Sequence, residues 1–125
     1  MAFDVELHGH KLTVDADPAF GGADYGPRPK ALMLSALAGC TGMDVVSILN
    51  KMKMPFDSFS LEVDADQSDE HPKVYTRVLV RYIFAGAELD RSKIERAVNL
   101  SLDKYCGVAN TLKHTAKIDY EIVTD

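Results

Sequence analysis

The sequence predicts an α+β domain of element order ββαββαβ, an antiparallel-rich sheet packed on helices. Three observations carry that expectation. Short segments alternate apolar and polar residues at the two-residue period of half-buried strands. The stretch Pro29–Met52 has helical length and is apolar almost all the way round. A second run, from Asp90 to Tyr105, repeats apolar residues at helical spacing. At 125 residues the whole chain, 1–125, reads as a single domain.

Taken in order, residues 2–7 alternate Phe3, Val5 and Leu7 with Asp4 and Glu6, the pattern of a strand. His8-Gly9-His10-Lys11 turns the chain, and Leu12–Asp15 returns to complete a hairpin. Residues 16–28 hold three glycines and two prolines and read as a long irregular loop. Loops of that length are usually functional or part of an interface. Pro29 opens the long helix at a position where a missing N–H costs nothing, and Pro55 closes it. Phe59–Asp64 and Val74–Ala85 form a second hairpin across the polar turn 65–72. On its longer strand Val74, Thr76, Val78, Val80, Tyr82 and Phe84 share a face. Asp90 caps the second helix, which runs through Ile94, Ala97, Val98, Leu102 and Tyr105 to Cys106-Gly107. A short helical piece, Val108–Leu112, follows, and Ala116–Val123 is the last strand.

The balance of charges excludes several functions. With Asp+Glu at 19 and Lys+Arg at 14, the net charge of −5 argues against nucleic acid and against an anionic membrane surface. The start Met-Ala-Phe-Asp-Val-Glu has no cationic region and no apolar h-region, so the expected location is the cytoplasm. Ser35, Gly39, Thr41, Gly42, Asp44 and Ser47 interrupt Leu32–Leu49, which is therefore read as a core helix and not a membrane span. No phosphate-binding glycine motif and no G-x-S-x-G element is present. His8, His10, His71 and His114 stand at no ligand-like spacing from a cysteine, so neither metal nor cofactor is expected. His8 and His10 read as solvated side chains near a hairpin turn.

The remaining chemistry lies in two cysteines. Cys40 sits inside the long helix with Asp44 one turn later on the same face. Gly39 and Gly42 flank it, each costing about 1 kcal/mol relative to alanine in a helix interior. They mark either close backbone approach or a break between two helical segments. A break would place Cys40 at a helix N-terminus and favour its thiolate; a continuous helix would make it a buried, inert thiol that Asp44 makes harder to ionise. Cys106 lies at the second helix boundary.

The segments Ser35-Ala-Leu-Ala-Gly-Cys40 and Leu102-Asp-Lys-Tyr-Cys106-Gly-Val-Ala-Asn-Thr-Leu112, in this order, resemble the OsmC/Ohr family over nearly the whole chain. The resemblance implies an OsmC-like ββαββαβ fold with its sheet wrapped around a long central helix, and an intertwined homodimer. It implies a thiol peroxidase of oxidative-stress defence, with Cys40 forming a sulfenate on a small organic hydroperoxide. Cys106 resolves it as a disulfide that an external thiol reductant resets. Peroxidase members hold the thiolate with an arginine–glutamate pair. Here Lys30 stands where the glutamate would be, and Arg28 is the only arginine ahead of Cys40. Arg28 and Lys30 are the cations that would supply positive potential to the thiolate. Gly107 replaces the familiar proline, and the chain resembles a less characterised branch. The alternative the resemblance allows is a non-peroxidatic protein that binds a small apolar or thiol-bearing molecule in an inter-subunit pocket.

Overall fold

A computed structural model describes residues 1–125. It has the expected order: β1 (Phe3–Leu7), β2 (His10–Val14), α1 (Leu32–Lys51), β3 (Ser58–Gln67), β4 (Tyr75–Ala85), α2 (Arg91–Leu100), α3 (Gly107–Leu112) and β5 (Lys117–Thr124). The class is α+β. Contacts divide the chain into two compact units, Met1–Ser35 and Ala36–Asp125.

In the first unit β1 and β2 pair antiparallel from Phe3↔Val14 to Leu7↔His10. The turn is therefore the dipeptide His8-Gly9, tighter than the four residues the sequence suggests. His8 (φ 49°) and Gly9 (φ 83°) both adopt the left-handed region that a two-residue hairpin turn needs. The loop that follows is built around Asp15. Its buried carboxylate accepts from the N–H groups of Ala16, Ala23 and Tyr25 at 2.8, 2.9 and 3.2 Å. These three bonds, the one from Ala23 foremost, hold the Asp15 carboxyl below its ordinary pKa. Pro18–Phe20 and Pro29–Ala31 are single 3-10 turns. The second converts into α1, so the helix proper begins at Leu32 and not at Pro29.

The second unit holds the sheet β3-β4-β5, with β3 antiparallel and β5 parallel to the central β4. The parallel pair requires a crossover, supplied by α2 and α3. Val78, Val80, Tyr82 and Phe84 of β4 point to one face and are buried, each contributing about 1.5–3 kcal/mol by the usual measure of apolar burial. Phe84 stacks on Phe59 at 4.2 Å and meets Phe56 edge-on at 5.5 Å. On the opposite face Arg81 bonds to Asp64 of β3 and Glu121 of β5. The alternation expected to include Val74 and Thr76 fails at the strand's start. The register slips between Asp66 and Gln67, leaving Thr76 unpaired and turning Tyr75 inward.

Helix α1 is continuous across Gly39 and Gly42. A Cβ on Gly42 would lie 3.0 Å from the Leu61 side chain, whereas one on Gly39 would meet nothing. Close approach to β3 thus explains Gly42, and no break exists at Cys40. By length and mean hydropathy (1.7) Pro29–Lys51 would pass for a membrane span, despite its interruptions. Leu37, Thr41, Gly42, Val45 and Leu49 are nevertheless buried, and Thr41 is hydrogen-bonded to the sheet and to the crossover. One side of the helix is therefore packed into the second unit.

Candidate functional site

Helix α2 sets the site through the way it ends. Asp90 caps its start, accepting from the N–H groups of Ser92 and Lys93. Ile94, Ala97 and Val98 then form its buried stripe. A regular helix would continue that stripe through Leu102 to Tyr105, as the sequence suggests. Instead Ser101–Tyr105 widens into a π-helical turn, closed by the Cys106 N–H on the Ser101 carbonyl at 2.7 Å. The extra residue rotates the following side chains. Tyr105 emerges 54% exposed, and Cys106 turns inward to 0% exposure. Single π turns of this kind recur at functional sites.

The rotation brings Cys106 to α1. The Sγ atoms of Cys40 and Cys106 and a carboxylate oxygen of Asp44 all lie within 4.8 Å of one another. Both cysteines are free thiols; Cys40 is half-buried and Cys106 buried. Burial pushes the Cys106 thiol up to about 11. The Ala109 N–H, donating to its sulfur at 3.3 Å, opposes this without overcoming it. A hydrogen bond to Cys40 and the nearby Asp44 add to the rise. Cys106 is thus held as the thiol, with its S–H within reach of the Cys40 sulfur.

Behind the thiols runs a buried chain of hydroxyls. Ser101 donates to Asp44 Oδ2 at 2.9 Å. Its proton being committed there, Ser101 Oγ accepts from Thr41 at 2.7 Å. Thr41 Oγ1 in turn accepts from the Tyr82 hydroxyl at 2.6 Å. The direction of every bond follows from the carboxylate, which only accepts. Desolvation raises the Tyr82 pKa well above its ordinary value, so the phenol remains a donor. The sequence places Thr41 beside Cys40 and Ser101 on the inner stripe of α2. A polar residue at each of those apolar positions was the available signal, but only the fold joins them to Tyr82.

The other expected residues lie in the first unit. Arg28 is held by Asp24 at 2.8 Å, by Asp17 at 3.4 Å and by the Gly26 carbonyl at 3.1 Å. Lys30 stands in the 3-10 turn Pro29–Ala31. An apolar groove of about 540 Å³ runs along α1 beside Gly39, Gly42, Met43 and Val46, floored by Phe59 and Leu61. A second groove, lined by Asp44, Ser47, Lys51, Leu100 and Tyr105, opens at the carboxylate.

Residues 21–121, which hold both thiols and Asp44, match the family model described as OsmC-like protein. The chain belongs to the OsmC-like family. Protein YhfA of Escherichia coli strain K12 is 32% identical over 117 residues, covering 92% of this chain and 84% of YhfA. Among solved OsmC-like structures, that of an OsmC-like protein from Mycoplasma pneumoniae superposes with a TM-score of 0.83 at 16% identity, covering 98% of this chain and 88% of that one. An organic hydroperoxide resistance protein OsmC from Legionella pneumophila gives 0.73 at 16% identity, covering 98% and 95%. These two likenesses establish the OsmC-like fold. The fold places the two thiols, and the chemistry has to be argued from the residues.

Proposed function

We propose that this OsmC-like chain is a cysteine-based thiol peroxidase that reduces organic hydroperoxides in a cytoplasmic homodimer. The observation that carries the reading is the meeting of Cys40, half-buried, with Cys106, buried, from separate helical segments. The Cys40 thiolate attacks the distal oxygen of the hydroperoxide, the O–O bond breaks, and the alcohol leaves with a proton. Cys40 is then a sulfenic acid. The Cys106 sulfur attacks it, a disulfide forms and water leaves. Two equivalents of an external thiol reduce the disulfide by exchange. The Cys106 S–H supplies a hydrogen bond to charge on Cys40, a service that peroxidase relatives assign to an arginine.

Counting free thiols before and after one equivalent of an organic hydroperoxide tests it. Loss of two thiols per chain, abolished in Cys40→Ser, is expected. In Cys106→Ser only Cys40 is consumed, as a sulfenate that a dimedone-type probe captures. A wild-type chain whose thiol count does not change at neutral pH refutes the peroxidase. The second reading, a small-molecule-binding protein, is favoured by the apolar groove along α1. It predicts saturable binding of a small apolar ligand with the thiol count unchanged.

A further inference from the structure

Cys40, Asp44 and Cys106 present two sulfurs and a carboxylate oxygen to one point. We propose that the reduced chain binds one thiophilic divalent cation there, Zn²⁺ being the type case, through Cys40 Sγ, Cys106 Sγ and Asp44. The site shares its cysteines with the proposed peroxidase but does not depend on that reading.

The geometry fits the ion. Zn–S bonds of about 2.3 Å and Zn–O bonds of about 2.1 Å in a tetrahedron put the donor atoms about 3.6–3.8 Å apart. The three donors lie within 4.8 Å of one another before any ion draws them in. Side-chain rotation closes the difference. Two come from adjacent turns of α1, a rigid element. The third stands at Cys106, where the π turn gives way to α3. The donor set, two soft sulfurs with one oxygen, selects zinc or cobalt over magnesium or calcium, which take oxygen shells.

The surroundings are those of a metal ligand. Ser101 donates to Asp44 Oδ2, fixing the carboxylate while leaving it lone pairs for coordination. Ser101 is fully buried and is itself held by Thr41, which accepts from Tyr82. Partners that orient a ligand in this way strengthen its hold on the ion. The groove that opens at Asp44 is the way in for the ion. Lys51 lines that groove and is the cation an incoming ion passes. Both sulfurs coordinate as thiolates, so binding releases the Cys106 proton, and two thiolates with a carboxylate outweigh the ion's charge. The bound ion occupies both sulfurs, so it blocks their other reactions while it remains.

Titrating the phosphine-reduced full-length chain with Co²⁺ reads the site directly. A near-ultraviolet sulfur-to-cobalt charge-transfer band is expected, saturating at one equivalent per chain and displaced by Zn²⁺. Cys40→Ser abolishes the band at one equivalent. Asp44→Asn and Ser101→Ala each weaken Zn²⁺ binding by at least about tenfold in competition with a chromophoric chelator. Replacing His8 and His10 by Ala leaves both readouts unchanged, because those side chains lie on the exposed hairpin turn. Absence of the band in the reduced wild type overturns the proposal, as does a band that survives Cys40→Ser. Neither measurement uses hydroperoxide, so a failure here leaves the peroxidase standing. Conversely, a chain inert to hydroperoxide still binds the ion.

Discussion

At the scale of the residue, the two cysteines differ in what their surroundings allow. Cys106 is buried, and its thiol is raised to about 11, so at neutral pH nearly all of it is protonated. The nucleophile in disulfide closure is the thiolate. Below its pKa the thiolate fraction of such a group rises about tenfold per pH unit. The sign is therefore fixed: closure onto a Cys40 sulfenate accelerates from pH 7 toward pH 10. Stopped-flow traces with excess hydroperoxide should show the loss of Cys106 lagging that of Cys40 at pH 7 and catching up in alkali. The hydroxyl chain makes a second prediction. Thr41→Val removes the acceptor of the Tyr82 phenol and the donor to Ser101, stranding buried polar groups. The expected loss is about 1–3 kcal/mol, measured by denaturant unfolding of the reduced chain. Thr41→Ser keeps the hydroxyl and retains most of that stability.

Elements show where sequence patterns were sufficient and where they were not. The alternation in β1, β3 and β4 and the capped stripe of α2 were legible, because each depends on a period within one segment. The misreadings of the β4 face and of the end of α2 share a cause, one residue inserted into a regular ladder. At Thr76 a bulge shifts the strand face, and at Ser101–Tyr105 a wide turn shifts the helical one. Such insertions are stabilised by partners remote in sequence, here β3 and α1, and leave little trace locally. Asp15 was passed over for the same reason, since its carboxylate is satisfied by amides that only the folded loop brings near. The loop supplies a test. With its folded pKa lowered, Asp15 stabilises the protein above its unfolded value of about 3.9. That stabilisation is lost as the pH falls through the lower, folded value. Asp15→Asn should lower the melting temperature at pH 7, with the deficit relative to wild type shrinking in acid. Equal deficits at pH 7 and pH 2.5 would show that the carboxylate's charge has no part in holding the loop.

For the whole molecule the open question is what lies against α1. Its inner side is buried in the second unit, but Met33 is 41% and Met43 76% exposed, and Gly39 faces open space. The chain's all-round apolar helix therefore has an uncovered side, with a groove of about 540 Å³ along it. Exposed apolar surface that is contiguous marks an interaction site. A second copy is the partner the proposed homodimer names, and a symmetric contact through α1 would pair the same face with itself. Methionine suits such a contact, because its unbranched side chain fills irregular gaps. Met43→Glu places a charge at the centre of that face and leaves the buried Leu37, Val45 and Leu49 untouched. Sedimentation equilibrium should give a dimer for the wild type and a monomer for Met43→Glu, with a near-unchanged far-ultraviolet circular dichroism spectrum. Loss of the dimer should also lower the melting temperature and make it independent of concentration, since association no longer supports the folded chain. A wild type that sediments as a monomer at tens of micromolar would refute the dimer, leaving the α1 groove to the small apolar ligand of the second reading.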